Sequence, residues 1–363
     1  MSAQLRDLPI PLVGAPMAGG PTTDDLVVAV GEAGGLGFLA TAYRSAEQIR
    51  ASIDAVRARG VQRFGANLFV PDAPEVHETD PAGVARYVEA LTPWAQAAGV
   101  DVPEVPAFST ADYATAFDVV VERRVPWVSF TFGLPAPEEV ARLREVDATI
   151  VVTVTSVADA HAAVERGADV LWVQGPAAGG HRSTFTVAQT PPEDALDDLL
   201  AAVVDAVPTP VVAAGGVGDG ADVARLLGLG AQAVGIGTLL LRTPEAGTSA
   251  PYRRALTAAA EPGSQAHTVL TRAFSGRPAR GLANRFHREL GHLAPSVFPE
   301  LNTLTGPIRR AATAADDAEA ITLWAGEGFA HARELPTETV FADLWRSALE
   351  HGAQRRGAMH NRD

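Results

Sequence analysis

Eight short apolar runs, each followed by a stretch of helical period, constrain most strongly how this chain can fold. The runs are PLVGAPM (11–17), LGFLA (36–40), FGANLFV (64–70), WVSFTF (127–132), TIVVTV (149–154), DVLWVQ (169–174), PVVAAGG (210–216) and AVGIG (233–237). After the fourth they are nearly continuous in apolar residues, as strands of a parallel sheet covered on both faces must be. Eight strand–helix units favour the α/β class and a closed (β/α)8 TIM barrel, with an open doubly wound sheet as the alternative.

The first helix is predicted to start at a cap supplied by Thr22 or Thr23, with Asp24 and Asp25 in its first turn, and to close at Gly34 and Gly35. Further helices are expected over 45–59, from about 137, and over 156–167, 193–206 and 220–229. Residues 71–124 break the rhythm with a proline-rich connection and two helices, over 82–98 and 110–123, and read as a helical insertion after strand three. The expected organisation is a barrel over 1–244, a helical C-terminal extension with a lid segment over 245–352, and a flexible tail over 353–363.

Composition excludes several functions. A net charge of −14 without a basic run argues against phosphate backbones and anionic lipid, so neither nucleic acid nor membrane is an expected partner. The N-terminus lacks the regions of a signal peptide and no apolar stretch reaches spanning length, so a cytoplasmic protein is expected; a homo-oligomer is left open. The chain has no cysteine and no lysine, which removes thiolate nucleophiles, zinc–thiolate sites and Schiff-base chemistry. An arginine-biased genome explains the missing lysine without any functional cause.

In a barrel, function gathers at the carboxyl ends of the strands. Strand seven leads into AAGGVGDG (213–220) and strand eight into GIGT (235–238). Glycines in these neighbouring loops let backbone N–H groups approach a phosphate, with the dipole of the following helix assisting; each loop alone could equally be a tight turn. Strand one ends in GAPMAGG, where Pro16 and Met17 offer a surface for a flat cofactor, although a methionine there also serves as plain core. Asn67 ends strand three with a carboxamide able to donate and accept. Strand six ends at Gln174, after which Gly179 and Gly180 permit an excursion that aims His181 over the barrel axis. An imidazole there can exchange a proton near neutrality, whereas the other eight histidines read as ordinary solvated or packed side chains. No metal site is expected.

The runs PMAGGPTTDDLVVAVGEAGGLGFLA, NLF, SFTFGLP (129–135), QGPAAGGHRST and AGGVGDGADVARLLGLGAQAVGIGT closely resemble the FMN-dependent nitronate monooxygenases, formerly 2-nitropropane dioxygenases, in their class I branch. The resemblance extends from about residue 8 past 285, through FSGRPARGLANRF. It implies FMN against Ala15, Pro16, Met17 and Ala18, with Asn67 and Gln174 on its polar groups. It places Gly179, Gly180, Gly215, Gly216, Gly235, Ile236, Gly237 and Thr238 around the ribityl phosphate, and His181 as the active-site histidine. Pro21 departs from the serine expected after the glycine pair, and Thr131 is a mouth-facing position where relatives can differ.

The implied reaction is oxidation of an alkyl nitronate such as propionate 3-nitronate, or of a nitroalkane, by O2 to a carbonyl compound and nitrite through a flavin semiquinone. His181 would act as base or as anion stabiliser. An FMN-dependent enoyl-thioester reductase or NAD(P)H:quinone reductase is the nearest rival, and a cofactor-free sugar-phosphate lyase or isomerase is an alternative of another class. Inosine-monophosphate dehydrogenases share the glycine segment but need a cysteine, which this chain lacks.

Overall fold

The computed structural model describes residues 5–360 except Val76 and Glu78. Eight parallel strands close a barrel in the order β1 (Leu12–Gly14), β2 (Leu36–Ala40), β3 (Phe64–Phe69), β4 (Trp127–Thr131), β5 (Thr149–Val154), β6 (Val170–Gln174), β8 (Val211–Ala214) and β9 (Ala233–Ile236). β9 returns to β1 with Val13 opposite Gly235, so the sheet has no open edge and the doubly wound alternative is excluded.

Period two explains the continuous apolar runs. In β5, Ile150, Val152 and Val154 pack toward the surrounding helices, whereas Val151 joins Val13, Phe38, Trp127 and Trp172 in the cluster that fills the barrel. Leu5 and Leu8 belong to the same interior cluster. Glycines make room for its rings: a Cβ on Gly65 would lie 2.2 Å from the Phe38 ring, and one on Gly235 2.8 Å from Trp172.

The surrounding helices are α1 (Asp24–Glu32), α2 (Ala46–Ala58), α4 (Ala111–Glu122), α5 (Pro137–Glu145), α6 (Val157–Arg166), α7 (Leu196–Ala206) and α8 (Gly220–Gly228). Both N-terminal threonines are used, for different ends. Thr23 caps α1 by accepting from the Leu26 N–H at 3.0 Å, while Thr22 accepts from the Met17 N–H at 2.8 Å and closes the turn after β1.

Two packing arrangements differ from the sequence expectation. The insertion expected over 71–124 divides. α3 (Pro81–Ala97) packs its Tyr87, Leu91 and Trp94 into a second core, whereas α4 buries Phe117, Val119 and Val120 in the barrel core and serves as the helix after β3. The helix that completes the ring between α8 and α1 is α12 (Thr337–His360), through Val340, Phe341, Leu344 and Ala348. A run of like hydrophobic period reads the same wherever it docks, so the sequence pattern leaves this assignment open. The tail expected over 353–363 lies outside the described residues, apart from the helical backbone that continues to His360.

Between β9 and α12 the chain builds a cap with α3. Its elements are α9 (Ala250–Ala259), β10 (Thr268–Thr271), β11 (Ala279–Leu282), α10 (Arg285–Leu290) and α11 (Glu300–Ala314), around Tyr252, Leu256, Phe274, Phe286, Leu301 and Leu304. A two-residue strand β7 (Gly180–His181) leaves the barrel and pairs antiparallel with β11, His181 opposite Ala279. Barrel and cap are thus joined at the histidine.

Candidate active site

A cavity of about 870 Å³ opens at the carboxyl ends of the barrel strands and is roofed by the cap. That volume lies within the range of small-molecule and cofactor pockets. All fifteen residues singled out from sequence line it: Ala15, Pro16, Met17, Ala18, Asn67, Gln174, Gly179, Gly180, His181, Gly215, Gly216, Gly235, Ile236, Gly237 and Thr238.

On the barrel side, Gly215 and Gly216 take φ of +128° and +74°, and a Cβ on Gly216 would lie 2.9 Å from that of Ala177. A side chain there meets both strain and crowding. Among the described residues, no acceptor faces the backbone N–H groups of Gly216, Gly237 or Thr238. Such orphaned donors beside a cavity suit an anion. The following helix does not assist as expected from sequence. The N-terminal donors of α8 are taken by Asp219, which accepts from Ala221 and Asp222, and the Asp222 carboxylate accepts from Gly218 N–H. Ser347 of α12 also packs against Gly220. A strap from the cap covers this end: Gly326 donates to Thr238 Oγ1 at 2.9 Å, and Glu327 N–H to the Ala177 carbonyl at 3.0 Å.

The two carboxamides behave differently. Asn67 Oδ1 accepts from Ser129 at 2.7 Å and Thr131 at 2.9 Å, which leaves Nδ2 as the donor for the cavity. Gln174 holds the histidine segment, its Nε2 donating to the His181 carbonyl at 2.8 Å and its Oε1 accepting from Ser183 N–H at 2.9 Å. One N–H and one lone pair of Gln174 remain for a ligand.

His181 sits among Phe69, Phe132, Phe298 and Trp324, with ring centroids 5.5–6.2 Å away. Gly180 supplies the turn before it at φ +76°. Ser275, 94 residues further on, places Oγ 2.9 Å from Nε2 and donates to the Arg277 carbonyl at 3.3 Å. When the serine proton goes to that carbonyl, His181 Nε2 carries the hydrogen and Nδ1 presents a lone pair. Nδ1 is not among the fully buried unpaired atoms and has no protein partner, so it opens on the cavity. Burial, reinforced by the charges of Arg277 and Arg309, pulls the imidazole pKa down to about 3. The ring is therefore neutral at physiological pH.

Sequence reasoning missed this cap-side shell. Arg277 is buried against Asp72 at 2.9 Å, lies over the Phe132 ring at 4.1 Å, and has its own pKa lowered by burial to about 10. Phe132 and Tyr43 have φ of +80° and +66°, a conformation costly for bulky residues and concentrated at functional sites. The Phe132 N–H is held by Ser183 Oγ at 3.1 Å. Phe132 and Arg277 lie within the SFTFGLP and FSGRP runs, which were the available signal, whereas no motif marks Tyr43.

A closed barrel with a roofed cavity over its strand ends, orphaned backbone donors at one end and a neutral imidazole at the other is the arrangement of a barrel enzyme that acts on a small molecule. Residues 4–346 match the nitronate monooxygenase family. The Staphylococcus aureus (strain Newman) protein named "Probable nitronate monooxygenase" is 33% identical over 344 residues, 94% of this chain and 95% of that protein. The nitroalkane oxidase of Streptomyces ansochromogenes superposes with a TM-score of 0.88 at 39% identity, covering 98% and 99% of the two chains. FabK from Thermotoga maritima shares the fold at a TM-score of 0.73 and 24% identity, covering 98% of each chain. The chain belongs to the nitronate monooxygenase family and is an enzyme of that type.

Proposed function

We propose that the protein oxidises alkyl nitronates, propionate 3-nitronate among them, with O2 to a carbonyl compound and nitrite, using FMN. The observation that carries this reading is the placement of the orphaned Gly216, Gly237 and Thr238 N–H groups and the open Nδ1 of His181 on one cavity. The residues fit FMN: those donors suit its phosphate, Pro16, Met17 and Ala18 form an apolar bed for a flat ring, and Asn67 Nδ2 suits a ring acceptor. Bound FMN supplies the electron acceptor for the nitronate; the chain positions and polarises.

His181 does not suit the role of a charged anion holder, because burial and two nearby guanidinium groups disfavour the imidazolium. Its Nδ1 lone pair is free to accept a proton, and a base with so low a pKa does so only where the anion formed beside it stabilises the imidazolium. With a neutral nitroalkane, Nδ1 takes the α-proton and the C–H electron pair becomes that of the nitronate. The new anion then offsets the repulsion between the imidazolium and Arg277 and Arg309. A substrate that arrives as nitronate skips this step. Ser275 keeps Nδ1 toward the cavity, and the aromatic ring of residues excludes water.

The test is the visible spectrum of the purified protein, oxygen uptake with propionate 3-nitronate, and anaerobic mixing with NADH or NADPH. A yellow protein that consumes oxygen with nitronate and is not rapidly bleached by either nicotinamide is expected. A colourless protein, or rapid bleaching without nitronate turnover, overturns the reading.

A further inference from the structure

The lining of the cavity has a charge pattern that the reaction above does not use. Among the described residues no aspartate or glutamate lines it, although the chain as a whole carries −14. Two arginines do, Arg309 and Arg310, both from α11. Arg309 is the unusual one. Its Nε is fully buried without an acceptor, and its hydrogen bonds run only from Nη2 to the carbonyl and Oδ1 of Asn302, at 2.7 and 2.9 Å. Neither Arg309 nor Arg310 pairs with a carboxylate among the described residues, in contrast to Arg277, whose charge is met by Asp72.

A half-buried guanidinium whose Nε is fully buried and unpaired, and which lacks a counter-charge, is costly, so chains that keep one normally supply an anion to it. Arg309 also lies on the histidine side of the cavity, since its charge acts on His181 and on the hydroxyl groups of Tyr43 and Tyr87. The Tyr87 hydroxyl is held by the Ala273 carbonyl, whereas that of Tyr43 has no protein partner. Tyr43 reaches the lining from a strained backbone, and its ring packs edge-on against Phe69, which in turn meets His181.

We infer that Arg309, with the Tyr43 hydroxyl on the same cavity lining, is the specificity-determining pair of this enzyme and binds a carboxylate carried by the substrate on the chain beyond its nitronate carbon. The inference rests on the reading above, in which the cofactor phosphate occupies the separate Gly216–Thr238 end. A guanidinium and a hydroxyl together supply charge and hydrogen bonds that a simple alkyl nitronate cannot use.

The experiment compares kcat/KM for propionate 3-nitronate with that for ethyl nitronate in the wild type, Arg309→Met, Arg309→Lys and Tyr43→Phe. Arg309→Met is expected to lower the ratio of the two by roughly 10- to 100-fold, the scale of a charged hydrogen-bonded contact. Arg309→Lys restores part of it and Tyr43→Phe loses a smaller part. Calorimetric binding of succinate gives a readout free of turnover: its Kd rises at least about tenfold in Arg309→Met. An unchanged ratio with normal nitronate oxidation overturns the subsite and leaves the reaction standing. If neither nitronate is oxidised, loss of succinate binding in Arg309→Met still supports the anion site, and unchanged succinate binding overturns it. Tyr43→Phe and Arg309→Lys keep the test decisive should Arg309→Met fail to fold.

Discussion

The two ends of the cavity are built in opposite ways. The barrel end is made of backbone: Gly216, Gly237 and Thr238 present N–H groups, and Ala15 to Ala18 present a short rigid turn. The cap end is made of side chains drawn from distant parts of the chain, with His181 held by Ser275 and flanked by Phe69, Phe132, Phe298 and Arg277. A phosphate needs only donors at fixed spacing, which a glycine loop supplies alone. A reacting carbon needs an oriented base, exclusion of water and a controlled field, which requires contacts across the fold.

Breaking the barrel end alone is expected to give the largest effect. Gly216→Val puts a β-branched side chain at φ +74° and against Ala177, so the cradle must move. The purified variant is expected to lose nearly all bound flavin while the cap stays folded, read from the flavin-to-protein absorbance ratio and near-UV circular dichroism. Full flavin content in this variant would separate the phosphate from that loop.

The cap end breaks through its buried ion pair. Asp72→Ala leaves Arg277 buried without its counter-charge, a change expected to cost about 3–5 kcal/mol in stability by denaturant titration. Loss below about 1 kcal/mol would mean that Arg277 finds solvent or another partner easily.

A smaller effect sharpens the electrostatic contrast. Native His181 has its pKa lowered to about 3, while the unfolded chain titrates near 6.5. Between these values the unfolded state binds more protons, so stability is full above about 6.5 and falls as pH drops toward 3, by at most ~1.4 kcal/mol per pH unit from this group. The acid-side slope is expected to be shallower in His181→Asn; an identical slope contradicts a neutral buried imidazole.

Legibility in the sequence follows the same division. The barrel end reads directly because each strand end is contiguous with its loop: GAPMAGG carries a turn, and AAGGVGDG and GIGT carry both turn and donors. Eight β–α beats also suffice for the closed barrel. Three things were not legible. The roles of α4 and α12 depend on which neighbour their apolar faces meet, and period alone does not specify a neighbour. The helix dipole expected at the glycine loop is cancelled by Asp219 and Asp222, whose carboxylates fold back onto their own backbone. Arg309 and Tyr43 sit in unremarkable local sequence, and although Arg277 lies within FSGRPARGLANRF, its pairing with Asp72 is visible only in the fold. His181 stood out through the two glycines before it, its place after strand six and the family resemblance of QGPAAGGHRST; that its Nδ1 is the open nitrogen depends on Ser275, far away in the chain.

The most direct measurement is kcat/KM of the wild type and His181→Asn at equal flavin content, with nitroethane and with preformed ethyl nitronate. A loss of about 10²- to 10⁴-fold is expected with the neutral nitroalkane, the scale of general-base catalysis, and a much smaller loss with the nitronate. Small and equal losses with both substrates would contradict the assignment of His181 Nδ1 as the base.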